Sequence, residues 1–256
     1  MCKKTLTAAA MLAAGCVWAV QGTIYTDKTS LKGDIKWQPR AKSYIVEYKN
    51  GNTNVSTEFP LADVTGMDIP KPDNFDRLSN AVRGGNAAGA VAALAGIVKE
   101  YRMLGWDAKA GALLVEAYMA VGKAQDAYRA ACDIISDDPK AAYSGELAPA
   151  YWQALLKLGK KEELEKNLKK AAASGSRPAS AEALIVRGDM VIASDGDNAP
   201  AHRKALKDGY LRVALMYNDP QCIDARRKAM ERCAVSFGKL GMASRAEAMR
   251  AEAAKL

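Results

Sequence analysis

Five glycines at near-constant spacing constrain the fold of this chain more than any other feature. Each is followed, five residues later, by a small or apolar residue, and successive copies are 37, 37, 37 and 45 residues apart. The segments are GNAAGA from Gly85, GKAQDA from Gly122, GKKEEL from Gly159, GDNAPA from Gly196 and GMASRA from Gly241. A period of roughly 20–50 residues is typical of solenoids, and helix-like text around each glycine indicates stacked helical hairpins. Such a fold predicts an extended binding surface and no reaction centre.

The composition agrees with a mainly helical protein. The chain has 256 residues, of which 49% are hydrophobic and only 7% aromatic. This is enough apolar material for one large domain, or for a small domain and a second one. Alanine is the main apolar residue, and small residues let helices approach closely where they cross. We therefore expect most of the chain to be α-helical.

Residues 1–22 have the pattern of an export signal. Lys3 and Lys4 precede an uncharged run of small and apolar residues from Thr5 to Gly15, and Ala19 stands where a signal peptidase would cleave. This predicts an exported, periplasmic protein. The run is shorter than the ~20 apolar residues that span a bilayer, and no later segment reaches that length without charges, so we expect no transmembrane segment in the mature chain.

The leader also allows a second outcome. The segment LAAGC, which ends at Cys16, resembles a bacterial lipoprotein box, in which Cys16 would become the lipidated first residue. The protein would then be anchored to the outer membrane, although a single acyl chain holds a protein only weakly. Cleavage after Ala19 and lipidation at Cys16 both remain open at this point.

Residues 23–70 predict a small β-module. Short stretches rich in β-branched and aromatic residues alternate with glycine, proline and asparagine, and the turn dipeptide Asn50-Gly51 predicts a hairpin. About five strands resemble an SH3-like barrel or a small sheet. Pro70 and Pro72 mark the boundary with a helical domain over 71–256. The predicted strands are Thr23–Thr26, Gly33–Gln38, Ser43–Lys49, Thr53–Phe59 and a short one around Ala62–Val64.

The helical domain resembles the tetratricopeptide repeat family, and Ala108–Ala141 carries the resemblance best. Parts of the same pattern recur around Gly159 and Gly241, whereas the unit around Gly196 has a loop-like SDGDN run and an extended second helix. The resemblance implies about five helical hairpins that bind a partner peptide or protein without catalysis. The residues that match the family pattern are Val115 and Tyr118 on the first helix, Gly122 at the turn, Ala127 and Ala131 on the second helix, and Pro139 at the exit.

In this family the first helix of each hairpin lines a concave groove that holds the partner. Transferring those positions to this sequence predicts a binding wall on three hairpins. Its expected partners are other envelope proteins or peptides. The predicted residues are Lys109, Glu116 and Met119 in one hairpin, Gln153 and Lys157 in the next, and Lys228 and Lys239 in the last.

The charge of the chain supports an alternative function. The net charge is +8, and it is +6 without Lys3 and Lys4 of the leader. A basic protein attracts anionic partners, so a module that binds cell-wall glycan or lipid headgroups is the alternative, with Trp37, Tyr44 and Tyr48 as an added contact surface. Export argues against nucleic acid as a partner.

An enzyme is not expected. His202 is the only histidine, and beside the basic Arg203 and Lys204 we expect it on the surface rather than as a general base. No glycine loop for phosphate follows a strand, and we expect neither a cofactor nor a metal. A hydrolase with an unrecognised site is the third hypothesis. The cysteines beyond the leader, Cys132, Cys222 and Cys233, are predicted to be small buried hydrophobes.

Overall fold

The structure, a computed structural model, describes residues 19–256 of the chain. The predicted leader, including Cys16, therefore lies outside the described residues apart from its last positions. The chain divides into two compact units. One contains the residues up to Pro70 together with Lys99–Leu104, and the other contains Lys71–Val98 and Gly105–Leu256.

The first unit is a five-stranded antiparallel sheet. Its strand order is β4-β3-β2-β1-β5, so four strands form a meander and the fifth returns to pair with the first. Val20 and Gly22, at the end of the predicted leader, pair with Ile35 and Gly33 of the second strand. The strands are β1 (Val20–Thr26), β2 (Ser30–Gln38), β3 (Ser43–Asn50), β4 (Thr53–Pro60) and β5 (Val64–Asp68).

Two details of this sheet differ from the sequence prediction. The fifth strand was expected around Ala62–Val64, but Pro60 is followed by a 3₁₀ turn at Leu61–Asp63, and β5 begins only at Val64. The β3–β4 turn is also shifted by one residue. Asn50 still pairs with Thr53, so the two loop residues are Gly51 and its successor, and Gly51 has a φ of 62°.

The β3–β4 hairpin pairs aromatic and β-branched residues of its two strands. Tyr44 pairs with Phe59, and Tyr48 pairs with Val55. Tyr44 is 1% exposed and its ring centroid lies 4.9 Å from that of Trp37. The Tyr44 hydroxyl donates a hydrogen bond to the Met103 carbonyl at 2.9 Å, within the same unit. Trp37 and Tyr44 therefore belong to the core of the β unit.

The second unit consists of five helical hairpins. The first helix of each is α1, α3, α5, α7 or α10, and the second helix of the fourth hairpin is divided into α8 and α9. The helices are α1 (Phe75–Arg83), α2 (Ala87–Glu100), α3 (Trp106–Ala120), α4 (Ala124–Asp137), α5 (Leu147–Lys157), α6 (Lys161–Ala173), α7 (Arg177–Asp195), α8 (Ala199–Ala205), α9 (Leu211–Met216), α10 (Ile223–Lys239) and α11 (Ala243–Ala253).

The five periodic glycines stand at the five bends between paired helices. Their φ angles lie between 69° and 89°, a region that L-residues with a side chain seldom adopt. At Gly122 the next amide, that of Lys123, donates to the Tyr118 carbonyl at 2.8 Å, and the Gly122 amide donates to Met119 at 3.1 Å. This is the Schellman arrangement, and it recurs at three more of the bends but not at Gly196. The prediction of a helical-hairpin fold is confirmed.

The residue five positions after each glycine is buried in every hairpin. None of the five is more than 2% exposed, because each lies on the first turns of a second helix that packs against its neighbours. The repeat in the sequence therefore marks a buried packing position in each second helix as well as the bend before it. The five residues are Ala90, Ala127, Leu164, Ala201 and Ala246.

Successive first helices stack on one another. Helix α1 contacts α3, α3 contacts α5, α5 contacts α7, and α7 contacts α10. One buried cluster, around Trp152 and Leu155, fills the second and third hairpins, and another, around Ile185 and Phe237, fills the fourth and fifth. Each hairpin therefore buries its apolar face on its neighbours, as expected for a solenoid.

The fourth hairpin is irregular for a steric reason. A π-helical turn, Leu206–Tyr210, joins α8 to α9 and lies against α7. A Cβ atom on Gly209 would be 2.4 Å from the Leu184 carbonyl oxygen, and one on Gly188 would be 2.3 Å from the Tyr210 ring. These two glycines let the backbones approach closely. The extra helical segment also accounts for the longer last step of the glycine period.

Candidate partner-binding wall

The first helices of the last four hairpins share a cleft. It has a volume of about 270 Å³ and is lined from α3, α5, α7 and α10. Its apolar part comes from Val115, Ala150 and Ile185, among others. We call this surface the first-helix wall and define it by Glu116, Met119, Gln153, Glu182 and Lys228.

One ion pair crosses the wall. The Lys228 ammonium lies 3.0 and 3.1 Å from the two carboxylate oxygens of Glu182, so it joins α10 to α7. The Glu182 side chain is only 16% exposed, so this pair is partly shielded from water. It fixes the position of the charged rim of the cleft.

Glu116 is the carboxylate of the wall without a direct partner. It forms no hydrogen bond or ion pair with any other residue in the described range 19–256. Its side chain reaches solvent, but the surrounding helices desolvate it, and this raises the pKa of its carboxyl group. The nearby charges of Lys228 and Arg83 act in the opposite direction and do not cancel the effect. A carboxylate of this kind can accept a donor from a bound partner.

Gln153 is held in place by a polar network behind the cleft. Its amide nitrogen donates to Asp189 at 3.1 Å, and the Tyr210 hydroxyl donates to the other carboxylate oxygen of Asp189 at 2.7 Å. The Arg232 Nε lies 3.3 Å from Asp189. Burial, and then the Asp189 carboxylate, raise the pKa of Tyr210. Gln153 therefore presents its carbonyl oxygen from a fixed position.

The structure brings four of the seven predicted wall residues together and places three elsewhere. Glu116, Met119, Gln153 and Lys228 line one cleft. The other three lie outside it. Lys109 is 3.5 Å from Glu146 and 4.8 Å from the centre of the Trp106 ring, Lys157 is exposed at the end of α5, and Lys239 binds Asp197 at 2.5 Å.

The contribution of Glu182 and Asp189, on α7, to the wall and its supporting network was not predicted. Glu182 and Asp189 are seven residues apart and so lie on one helix face, which is a signal that the sequence contains. The hairpin around Gly196 departs from the family pattern, and for this reason no position was transferred to it. Arg232, four residues after Lys228, was missed although it has the same helical phase.

His202 is buried, which contradicts the prediction of a surface residue. It is 4% exposed because α8 packs against α10. Its Nδ1 lies 3.1 Å from the Ser236 hydroxyl, and its Nε2 lies 2.6 Å from Asp197, which also binds Lys239. Serine, histidine and aspartate are the groups of a hydrolase triad, but Ser236 is only 1% exposed, so a substrate carbonyl cannot reach its hydroxyl. The three side chains instead tie α8 to α10.

The cysteines are packing residues. Cys222 and Cys233 are buried as predicted, whereas Cys132 is only half-buried, and none of the three forms a disulfide. Burial raises the pKa of the Cys233 thiol to about 12, so it is unreactive. Over residues 19–256 no group of three His, Cys, Asp or Glu side chains is placed to hold a metal ion.

Two further observations bear on the alternatives. Trp37 and Tyr44 are 7% and 1% exposed and are core residues of the sheet, so the prediction that they contact an anionic ligand is wrong, whereas Tyr48 is half-buried. In the part of the chain that the structure covers, no helix is both long and apolar enough to cross a membrane.

Comparisons with known proteins give a weak likeness. No protein-family model matches the sequence, and no curated protein matches it either. One similar solved structure is a single-residue variant of a Podosopora anserina protein described as a kinesin light chain with nearly identical TPR-like repeats. It shows a TM-score of 0.43 and 15% identity, with coverage of 70% of this chain and 91% of that one. The same protein without that substitution gives a TM-score of 0.42 and 14% identity with the same coverage. At such scores the likeness assigns no function, and the fold assignment rests on the hairpins themselves.

Proposed function

We propose that this protein is a non-enzymatic adaptor of the bacterial cell envelope that binds an extended segment of a partner protein along the first-helix wall. The observation that carries the proposal is the cleft shared by α3, α5, α7 and α10. A cleft built from four hairpins offers several contact points in line, which suits a peptide segment better than a compact metabolite.

The chemistry of the wall indicates what the segment presents. The half-buried Pro149 and Met119 of the cleft offer apolar surface to an aliphatic side chain, and Met119 adapts to its shape. Glu116 accepts a backbone amide or a basic side chain next to it, and Gln153 offers an oriented carbonyl oxygen. We therefore expect an apolar residue flanked by lysine or arginine in the partner.

The envelope location rests on the sequence of residues 1–22. Positive charge, an apolar run and a cleavage position together support export. Cys16 supports the alternative in which the exported protein carries a lipid anchor. The mass of the mature amino-terminal peptide, measured in the native membrane and soluble fractions, distinguishes cleavage after Ala19 from lipidation at Cys16. An uncut Met1 terminus would contradict both.

Site-specific crosslinking in the native envelope tests the binding wall. A photo-reactive residue at Met119 should give a discrete protein adduct, whereas the same residue at the exposed Lys166 of α6 should not. Charge reversal by Glu116→Lys should abolish the Met119 adduct. The matched control Glu162→Lys, an equal charge change on exposed α6, should leave it intact. Adducts of equal yield at both positions, or recovery of glycan or lipid alone, would overturn the proposal.

A further inference from the structure

A second cleft, on different residues, lies between the second helices of the third and fourth hairpins. It has a volume of about 660 Å³ and is lined from α6, α7 and the segment running from α8 through the π turn to α9. It shares no residue with the first-helix wall. The basic side chains around it are Lys169, Arg187, Lys204, Lys207 and Arg212.

Most of these cations have no partner. Lys204 pairs with Asp195 at 3.0 Å. Within the described residues, the other four basic side chains form neither a hydrogen bond nor an ion pair. Of the acidic residues of the lining, Asp195 is occupied by Lys204, which leaves only Glu165 and Asp208 against them. The cleft therefore has an excess of positive charge, and the mutual repulsion of its cations would be relieved by a bound anion.

The cations stand on rigid elements. Arg187 projects from the middle of α7 between the buried residues Val186 and Gly188. Lys207 lies on the π turn, which the close approach of Gly209 to the Leu184 carbonyl holds in place. Single π turns within helices are frequent at functional sites. The backbone positions of these cations are therefore fixed, and only their side chains have to order when a ligand binds.

The rest of the lining is partly apolar. Leu168 is 1% exposed, and Met190 and Val191 are half-buried in α7. A cleft of this size lies within the range of roughly 300–1,000 Å³ that small-molecule sites occupy. The site therefore combines a cationic rim with an apolar floor.

We propose that this cleft binds a small phosphate-bearing ligand. Arg187, Lys207, Arg212 and Lys169 hold the phosphate oxygens, and the organic part of the ligand lies over Met190 and Val191. A phosphomonoester fits better than a single carboxylate because it carries up to two negative charges and three acceptor oxygens, which match an arginine fork and several lysines. The site does not depend on the first-helix wall and remains if that wall has no partner.

Calorimetry with inorganic pyrophosphate at low salt tests the cleft. We expect the mature chain to bind it, and the double variant Arg187→Gln with Lys207→Gln to weaken binding at least tenfold. The control, Lys161→Gln with Lys166→Gln, removes the same charge from exposed positions of α6 outside the cleft and should leave affinity unchanged. All four side chains are exposed, so melting curves should show that both variants fold. Absence of binding to the parent chain, or equal loss in both variants, overturns the proposal.

Two ligands that carry the same phosphomonoester distinguish a soluble ligand from a lipid headgroup. Glycerol 3-phosphate represents a soluble ligand, and phosphatidic acid vesicles present the same phosphomonoester on a lipid surface. Binding to either form that the Arg187→Gln, Lys207→Gln variant loses and the control keeps supports the site and names the source. Vesicle binding that falls equally in both variants shows only diffuse attraction to an anionic surface and contradicts the proposal.

Discussion

Single glycines decide how closely helices pack in the fourth hairpin. We predict that Gly209→Ala destabilises the protein by about 1–3 kcal/mol, because the new methyl group meets the Leu184 carbonyl, a backbone atom that cannot move alone. The control is Gly96→Ala, where nothing lies within 4 Å of the added atom and a gain of up to about 1 kcal/mol is expected. Chemical denaturation measures both. Equal effects would show that the α7 contact is looser than described.

The raised pKa of Glu116 gives a pH prediction with a definite sign. The ordinary value is 4.5, and in the folded chain the group holds its proton to a higher pH. The unfolded chain therefore loses that proton first, and this group's contribution to stability falls as the pH rises above 4.5. Glu116→Gln should be more stable than the parent near neutral pH, and the difference should shrink toward acid pH. Melting temperatures of the two chains between pH 4 and 7 test this, and a difference that stays constant over this range would contradict the prediction.

The buried hydrogen bond between His202 and Ser236 gives a prediction about stability. Replacing His202 by leucine leaves the Ser236 hydroxyl buried without its partner, which should cost about 1–3 kcal/mol. Adding Ser236→Ala should recover part of this loss, because both partners are then apolar. A double-mutant cycle by denaturation measures the coupling. Additive losses would mean that the two side chains do not interact.

Among the elements, the helix bends were predictable and the irregular fourth hairpin was not. A positive φ restricts residue type so strongly that the bend at Gly122 is visible in the sequence. The π turn, in contrast, depends on a contact between Gly209 and Leu184, 25 residues earlier, which no local pattern records. The residues of the first-helix wall were likewise only partly predictable from the sequence. The family resemblance predicted Glu116 and Gln153, but the pair that Lys228 forms with Glu182 requires knowing which helices become neighbours.

The bends provide a prediction at the scale of one hairpin. Gly122→Ala should cost about 1–2 kcal/mol, because alanine in the left-handed region crowds the following carbonyl. Gly238→Ala, within α10 and with open space around the added atom, is the control and should be neutral or stabilising. Denaturant midpoints distinguish them. A loss confined to Gly238→Ala would contradict the role of the glycine bends.

At the scale of the whole molecule, each first helix stacks on the next one, so the stability of the hairpins should be local. Truncation at Gly241 removes α11, including the buried Ala246 and Ala253, and uncovers Phe237. We expect amide hydrogen exchange to accelerate strongly in α10, which packs against α11, and to stay slow in α3 and α4, which belong to the second hairpin. Uniform loss of protection along the second unit would show a single cooperative core. That result would contradict local stability, but it would leave unchanged the cleft on which the adaptor proposal rests.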